Sequence, residues 1–346
     1  MRRSFECVGV ALLVVFGCTS VVMAQGTAEN FSQASAPDVL AYWTPERMAD
    51  ARPANPELPG QPSPPAEGPA LPTGPPGAVS GSPGGDWLLV EVDEATLVEF
   101  AQSVELPLGY TYPPPENTWA IPVPWYGSYP IRTVGKVYYT QNAINYVASG
   151  SSQGGRSVLT AGHVVSDGSG NWSSNVTFIP ALRGTWKPYG TWVGDGWMLV
   201  ASAWHTGNNW CRDVAFFAVL DQGGLTLSQR VGHLGYAWNW SVTRAWTGLG
   251  YPTVGWSGAI MVATNASNSK TDAPSACTPA TMGMGTRQTP GCSGGPWIWR
   301  YRAQQFSLNY TNGVFSYYYG ATPLEFFSPY FDTWVHDALI IPALAH

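Results

Sequence analysis

From residue 129 onward, short apolar runs alternate with turn-forming residues. The runs are rich in β-branched and aromatic side chains and are separated by Gly, Asn and Pro, a pattern typical of strands joined by short turns. It predicts strands at Val134–Thr140, Asn145–Ala148, Ser157–Leu159, Val176–Ile179, Trp197–Ala203, Val214–Leu220, Thr243–Trp246, Ala259–Ala263, Pro296–Trp299 and Gly313–Tyr319. A single helix is predicted in this part of the chain, at Phe331–Leu339. Residues 129–346 are therefore expected to form an all-β domain with a C-terminal helix.

The first 24 residues have the pattern of a signal peptide. Met1-Arg2-Arg3 is basic, Val8–Phe16 is apolar, and Val22-Met23-Ala24 offers small residues for cleavage. The apolar run is too short for a membrane span. We expect a secreted protein, extracellular or periplasmic, with no membrane partner.

Residues 25–128 differ in composition from the rest. Arg52–Gly85 is dominated by Pro, Gly, Ser and Ala and predicts an extended, mobile linker, whereas Tyr42–Met48 predicts the start of a short helix. Of the 22 acidic residues, 14 lie in residues 1–128, against 4 of the 16 basic ones. An acidic segment ahead of a mildly basic domain predicts a pro-region held by charge, with an ordinary acidic linker as the alternative. The mature chain is then expected to start between Glu116 and Tyr129.

Composition narrows the class of protein. Only 11% of the residues are charged, while there are 39 Gly, 30 Pro and 17 Trp, which fits a β-rich secreted protein. The small positive charge after residue 128 gives no reason to expect nucleic acid. The five His are scattered, so no metal and no cofactor is expected. A tryptophan-rich β-protein that binds carbohydrate remains an alternative.

The stretch Thr289–Trp297 contains the strongest chemical signal. Ser293 lies in a Gly-x-Ser-Gly-Gly motif, which is typical of a nucleophilic serine on a tight turn. Such a hydroxyl needs a base within hydrogen-bond reach. The backbone N–H groups of Gly291 and Ser293 are candidates for an oxyanion hole. The motif also fits the nucleophile turn of α/β-hydrolases, so the partner residues must decide.

The candidate partners precede the serine. His163 follows a short apolar run and a Thr-Ala-Gly turn, and Asp213 stands at the start of another apolar run. The order His, Asp, Ser is that of chymotrypsin-like peptidases, whereas α/β-hydrolases have Ser, Asp, His. An α/β-hydrolase esterase would have to use Asp332 and His346, and too little chain follows Ser293 for its remaining strands and helices.

These motifs resemble those of the secreted trypsin-like serine peptidases with the chymotrypsin fold, specifically the microbial branch that includes the glutamyl endopeptidases. The resemblance covers roughly residues 129–337. It implies two packed antiparallel β-barrels with the active site in the cleft between them. It also implies a monomeric serine endopeptidase, made as a precursor, that acts on proteins or peptides through an acyl-enzyme.

The resemblance also implies roles for individual residues. Ser293 would be the nucleophile, His163 the general base and Asp213 the group that orients the histidine. Ser316 would support Asp213 by a hydrogen bond. A catalytically inactive homologue that serves as a binding module is the alternative, although all three triad residues are present.

Substrate preference rests on fewer residues. The resemblance places Arg287 at the floor of the specificity pocket and the strand containing Ser316 and Tyr317 along one wall. Arg287 could bind an acidic side chain in a paired hydrogen bond, which predicts cleavage after Glu or Asp. Phe315 stands where glutamyl endopeptidases have a histidine, and this argues against that preference.

Three cysteines follow the signal peptide: Cys211, Cys277 and Cys292. In an exported protein, three cysteines are expected to form one disulfide and to leave one free thiol. We predict Cys277–Cys292, which would brace the loop with the oxyanion hole; the other two pairings involve Cys211. Cys292 occupies the position at which animal trypsins have an aspartate, so activation cannot depend on an ion pair between that aspartate and a new N-terminus.

Overall fold

The computed structural model describes residues 26–31, 35–54, 56–63, 74–84, 112–305 and 307–346. Within these residues the strands are β1 (Thr27–Phe31), β2 (Arg52–Pro53), β3 (Glu57–Leu58), β4 (Gly77–Val79), β5 (Asn117–Ala120), β6 (Val134–Gln141), β7 (Ile144–Gly154), β8 (Ser157–Thr160), β9 (Ser174–Pro180), β10 (Trp192–Ala201), β11 (Ala215–Val219), β12 (Gly235–Trp238), β13 (Ala245–Gly250), β14 (Val262–Asp272), β15 (Thr281–Gly285), β16 (Pro296–Trp299), β17 (Tyr310–Val314), β18 (Tyr317–Tyr319) and β19 (Thr322–Ser328). Short helices lie at Ala36–Tyr42, Pro45–Asp50, Gly162–Val165, Ser202–His205 and Leu227–Val231, with tighter turns at Val123–Gly127, Ile131–Thr133, Trp210–Arg212 and Pro274–Ala276. The C-terminal helix consists of Thr333–Val335, His336–Ile340 and Ile341–Ala345.

The first half of residues 129–346 is a closed barrel. Its strands follow the order β6, β7, β8, β11, β10 and β9, and β9 pairs back to β6; all six pairings are antiparallel. Large apolar side chains fill the interior, among them Phe178 and Trp192, both fully buried. Closure gives each barrel strand two neighbours over part of its length, so no barrel strand is a free edge throughout.

The second half is a single large sheet in the order β18, β19, β15, β14, β13, β16, β17, β12, with β5 added to β14. Its core contains Trp246, Trp297, Phe315 and Phe326. Among the described residues no pairing joins β18 to β12, so this half is a sheet where the prediction had a second barrel. The expected all-β architecture is otherwise confirmed.

Within residues 129–346, the sequence pattern missed three strands of the second sheet: β12, β15 and β19. The sequence of β15, Thr-Met-Gly-Met-Gly, has the glycine content of a loop. These glycines are required by close packing, because a Cβ at Gly283 would lie 2.9 Å from the ring of Phe327. The C-terminal helix is confirmed and extends beyond the predicted Leu339; Val335, Leu339 and Ile340 pack against the outside of the barrel.

The N-terminal segments add strands to both halves. β1 and β2 pair with β10 and β7 of the barrel, while β3, β4 and β5 pair with β18, β12 and β14 of the second sheet. The described parts of the Pro- and Gly-rich stretch therefore lie against the sheets, where the sequence predicted a mobile linker. The predicted signal peptide lies outside the described residues. Among the residues that are described, no helix is long and apolar enough to cross a membrane.

Candidate active site

His163 and Asp213 meet at one end of the barrel. His163 lies in the single-turn helix that follows β8, and Asp213 follows the turn that leads into β11. The Nδ1 atom of His163 is 2.8 Å from Oδ2 of Asp213, and the backbone N–H of His163 donates to Oδ1 at 2.7 Å. Because Asp213 is fully buried and faces Nδ1, the proton resides on Nδ1 and Nε2 is left as an acceptor.

A third donor reaches the same carboxylate. Ser316, which lies just before β18, donates its hydroxyl to Oδ2 of Asp213 at 2.5 Å. The buried charge thus accepts hydrogen bonds from both halves of the protein, which offsets the cost of removing it from water. Gly162 leaves room for this carboxylate, since a Cβ there would lie 2.8 Å from Oδ1 of Asp213.

The residues before Asp213 are fixed by two further contacts. Arg212 forms a paired salt bridge with Asp332, with N–O distances of 3.0 and 2.8 Å, and both side chains are buried. Asp332 also caps the C-terminal helix by accepting from the N–H of Val335. Cys211 forms a disulfide with Cys277, which follows β14 of the second sheet. The loop with Asp213 is therefore tied to the helix and to the second sheet.

The predicted Cys277–Cys292 pairing is wrong. The disulfide joins Cys211 and Cys277, with their Cα atoms 5.9 Å apart, and Cys292 is a buried free cysteine. The side chain of Cys292 points into the apolar core of the second sheet, beside Trp297 and Phe315. Burial in this core raises the pKa of the Cys292 thiol well above its usual value.

The Ser293 loop is held between the two halves. Ser149 of β7 donates its N–H to the Ser293 carbonyl at 2.7 Å and its hydroxyl to the Gly291 carbonyl at 2.9 Å. On the other side, Gly294 donates to the Phe315 carbonyl at 2.7 Å. Gly294 has φ +78°, and a Cβ there would lie 2.7 Å from the backbone N of Ala161. The serine loop therefore adjoins the turn that precedes His163.

Both predicted reacting atoms have free hydrogen-bonding capacity. Ser293 Oγ and His163 Nε2 are buried and make no hydrogen bond to any residue that the structure describes. A catalytic hydrogen bond is often long before substrate binds, so this geometry is compatible with a nucleophile and its base. Leaving a buried hydroxyl and a buried imidazole nitrogen unpaired is costly, and both atoms remain able to bond to a substrate or to each other.

Gly291 has the geometry that close backbone approach requires. Its φ is +104°, and a Cβ would lie 2.7 Å from the Tyr251 carbonyl. Within the described ranges, the N–H groups of Gly291 and Ser293 donate to no backbone carbonyl. Two such donors on one turn can stabilise a developing oxyanion.

The predicted specificity residues lie elsewhere than expected. The Arg287 side chain is 67% exposed and its Nε donates to Glu116 at 2.7 Å, so it is a surface residue and does not form a desolvated pocket floor. Tyr317 is fully buried, and its hydroxyl donates to Asp272 at 2.7 Å. Burial, with a contribution from Asp272, raises the pKa of Tyr317 well above its usual value.

Asp272 was not identified from the sequence. It is a buried carboxylate that accepts from the hydroxyls of Tyr317 and Tyr319 at 2.7 and 2.8 Å, through the same oxygen. It ends β14, close in sequence to Cys277. A single acidic residue at the end of a strand has no neighbours in the sequence that would mark it as a buried hydrogen-bond acceptor. Only its contacts with the tyrosines of β18, which the tertiary structure brings close, distinguish Asp272 from other acidic residues.

The esterase interpretation is wrong, because its candidate residues are engaged elsewhere. Asp332 is paired with Arg212, and His346 lies 3.0 Å from Asp195 and stacks on Trp197. The two-layer β fold also lacks the helices of an α/β-hydrolase among the residues described.

No protein-family model matches the sequence, and no curated protein matches it. Solved structures do. Protease Anisep from Arthrobacter nicotinovorans is 27% identical, with a TM-score of 0.58 over 66% of this chain and 100% of that one. Serine protease AL20, a thermostable enzyme from an extremophilic microorganism, is 25% identical, with a TM-score of 0.56 over 62% of this chain and 99% of that one.

A Glu endopeptidase in complex with MPD shares the fold, with a TM-score of 0.50 over 66% of this chain and 97% of that one, at 14% identity. This chain covers each of these three peptidases almost completely. The chain is a trypsin-like serine peptidase with the chymotrypsin fold.

Proposed function

We propose that this protein is an exported serine endopeptidase that hydrolyses peptide bonds through His163, Asp213 and Ser293. The contact between Asp213 and Nδ1 of His163 carries the proposal, because it leaves Nε2 as the base. Ser293 Oγ attacks the carbonyl carbon and its proton passes to Nε2. The N–H groups of Gly291 and Ser293 stabilise the oxyanion.

The second half of the reaction uses the same groups. Collapse of the tetrahedral intermediate breaks the C–N bond, and His163 returns the proton to the leaving amine. Water, deprotonated by the same nitrogen, then attacks the acyl-enzyme and releases the acid and Ser293. Asp213 steadies the imidazolium at each transfer.

Burial of the tryptophans argues against the carbohydrate-binding alternative. Trp192, Trp204, Trp246 and Trp297 are all fully buried, so they form core and offer no ligand platform. Among the tryptophans that the structure describes, only Trp186 has an exposed side chain, at 47%. A single exposed ring is a poor sugar-binding surface.

Export and synthesis as a precursor are supported by separate observations. A disulfide within the peptidase domain fits an oxidising compartment, as the predicted signal peptide at residues 1–24 requires. The described N-terminal segments pair with both halves of the domain, as expected of a pro-region at 25–128 that binds its own enzyme. Protein or peptide substrates follow from the reaction class.

The peptidase unit is inferred to begin earlier than residue 129. Asn117–Ala120 pairs along its length with β14, and the side chains of Trp125 and Tyr126 are buried. Removing these residues would expose a sheet edge and two core rings. We therefore place the mature N-terminus close to Glu116, at the early end of the expected range.

The test is covalent labelling of Ser293. Prolonged incubation with a fluorophosphonate should label the protein on Ser293, and Ser293→Ala should lose both the label and hydrolysis of a denatured protein substrate by at least about 10³-fold. Ser152→Ala is the matched control, since it also removes a buried hydroxyl that has no hydrogen-bond partner. Activity retained in Ser293→Ala, or an equal loss in Ser152→Ala, would contradict the proposal.

A further inference from the structure

The turn before Ser293 is of a kind that exists in two forms. Residues 289–292 form a β-turn, in which the N–H of Cys292 donates to the Thr289 carbonyl at 3.2 Å. Pro290 occupies the second position and Gly291, with φ +104°, the third, as in a type II turn. A type I turn also accepts proline at its second position, and glycine readily adopts the negative φ that this form needs at the third. The residues of the turn therefore allow both forms.

The two forms differ in the direction of the Gly291 N–H. Conversion of type II into type I changes ψ of the second residue and φ of the third by about 150–170°, which turns over the peptide between Pro290 and Gly291. This peptide is trans, so its carbonyl and its N–H point in opposite directions. The direction of the Pro290 carbonyl thus decides whether the Gly291 N–H is available to an oxyanion.

Thr253 holds the Pro290 carbonyl with two hydrogen bonds. Its backbone N–H donates to that oxygen at 3.0 Å, and its hydroxyl donates to the same oxygen at 2.8 Å. Both lone pairs of the carbonyl oxygen are then used. Turning the peptide over would break both hydrogen bonds, so these contacts stabilise the type II form, in which the Gly291 N–H faces away from Thr253.

The segment that contains Thr253 lies directly against the turn. A Cβ at Gly291 would be 2.7 Å from the Tyr251 carbonyl and 2.9 Å from Cγ2 of Thr253. The hydroxyl of Thr289 donates to the Val254 carbonyl at 2.9 Å and joins the same two segments again. Because only glycine lets the backbones approach this closely, the sequence of the turn matches the position of Thr253.

Ser149 of the barrel links the same two segments from another side. Its hydroxyl accepts the N–H of Tyr251 at 2.9 Å and donates to the Gly291 carbonyl at 2.9 Å. One hydroxyl can form both hydrogen bonds, because it has one donor and two acceptor sites. The peptides on both sides of Gly291 are therefore held, one by Thr253 and the other by Ser149.

The loop with Thr253 is also anchored at its far end. The Pro252 carbonyl accepts from the N–H of Gly258 at 2.8 Å, and the ammonium of Lys136, on β6, donates to the Gly258 carbonyl at 2.8 Å. The barrel thus fixes the position of Thr253 independently of the turn that Thr253 contacts.

We propose that Thr253 is a positioning residue for the oxyanion hole: it holds the Pro290 carbonyl and so directs the Gly291 N–H at the substrate carbonyl oxygen. The inference rests on the proposed function. Thr253 contacts no reacting atom and acts only through the Pro290–Gly291 peptide. When its hydroxyl is lost, part of the population turns this peptide over and presents the Pro290 carbonyl, which repels the developing negative charge and cannot donate to it.

The first test uses Thr253→Val, which removes the hydroxyl and keeps the branched shape, in the full chain as exported. We expect kcat for a cleaved peptide to fall by about 10-fold, as the loss of one hydrogen bond predicts, while KM stays within about 2-fold. Thr253→Ser keeps a hydroxyl and should have a kcat within about 3-fold of wild type. Thr243→Val is the matched control, since it deletes an exposed threonine hydroxyl that shares a hydrogen bond with Ser241, and kcat should not change.

The second test compares two inhibitors that have the sequence of a cleaved peptide. The aldehyde forms a hemiacetal with Ser293: Oγ bonds to the aldehyde carbon, the carbonyl electron pair moves to the oxygen, and the serine proton passes to Nε2 of His163. The resulting oxyanion needs the oxyanion hole, whereas the matching alcohol binds without forming this bond. In Thr253→Val the inhibition constant of the aldehyde should rise by about 10-fold and that of the alcohol should stay within about 2-fold. Both constants describe folded protein, so a loss of stability alone changes neither.

The outcomes separate this inference from the proposed function. Equal weakening of aldehyde and alcohol, or a kcat of Thr253→Val within about 2-fold of wild type, would overturn the role of Thr253 and leave the peptidase assignment standing. A loss in Thr253→Ser as large as that in Thr253→Val would do the same, because it would show that the hydroxyl is not the group that matters. Absence of both hydrolysis and an aldehyde adduct on Ser293 in wild type would instead overturn the proposed function.

Discussion

The Cys211–Cys277 disulfide gives the sharpest quantitative prediction. The two cysteines are separated by 66 residues, and cross-linking a loop of this length lowers the entropy of the unfolded chain by an amount worth about 4 kcal/mol. Replacing both with alanine should lower the free energy of unfolding by about that amount. The active site should survive, because Asp213 keeps its hydrogen bonds to His163 and Ser316. We therefore expect kcat to fall by no more than about 3-fold, since the triad geometry is unchanged.

Stability is measured by urea unfolding under non-reducing conditions, with the cysteine variants made in the Ser293→Ala background to prevent self-digestion. The kcat comparison uses the same cysteine substitutions with Ser293 intact. Peptide mapping without reduction identifies the linked cysteines in parallel. Cys292→Ala is the control: it removes a buried free thiol from the second-sheet core and should cost about 1 kcal/mol through a small cavity.

Two results would refute the reasoning. A linked peptide that contains Cys292 would show that the pairing is wrong. A loss below about 1 kcal/mol for the double alanine variant would show that the cross-link contributes little, either because the unfolded chain stays compact or because the native loop is strained.

Three further predictions concern single residues. Asp213→Asn should lower kcat by about 10⁴-fold through the wrong histidine tautomer while leaving the fold intact; a loss of only a few-fold in peptide hydrolysis would exclude Asp213 as the orienting acid. Asp332→Asn should lower the free energy of unfolding by about 3 kcal/mol, because it leaves Arg212 buried without its counter-charge but keeps the helix cap; Asp332→Ala should cost about 1 kcal/mol more in the same urea titration. Burial lowers the pKa of Lys136 to about 8, and its ammonium donates to the Gly258 carbonyl. In the unfolded chain a lysine has a pKa of about 10.4, so the unfolded state binds more protons than the folded state between about pH 8 and 10. In that window the free energy of unfolding of wild type should therefore rise with pH relative to that of Lys136→Met. A difference between the two free energies that does not change with pH would contradict the prediction.

Short-range patterns were sufficient to predict most of the strands of residues 129–346 and to single out the candidate catalytic residues. Strands such as Pro296–Trp299 were predicted because runs of β-branched and aromatic residues bounded by turn formers seldom form any other structure. His163, Asp213 and Ser293 were chosen as candidates because each belongs to a local motif and their order along the chain is distinctive. The C-terminal helix was predicted from Phe331, close to its true capping residue, Asp332.

Pairings over long distances could not be predicted in the same way. Cys292 was expected in the disulfide because it borders the serine loop, but its side chain points to the opposite side, into the apolar core. Arg287 was counted back from Ser293 to a pocket floor, whereas it lies at the surface with Glu116. Both errors concern the direction of a side chain, which sequence spacing on a loop does not determine.

The N-terminal segments show most clearly where local information ends. By composition, residues 52–85 predict a mobile linker, because proline and glycine disfavour regular structure. The strands β2, β3 and β4 exist because the edges of the barrel and of the second sheet supply hydrogen-bond partners that the segment cannot supply itself. The sequence alone thus determined most strands of residues 129–346, the C-terminal helix and the candidate catalytic residues, each of which depends on neighbours in the chain. Only the tertiary structure decided the disulfide, the position of Arg287 and the pairing of the N-terminal strands, because each depends on surfaces brought together from distant parts of the sequence.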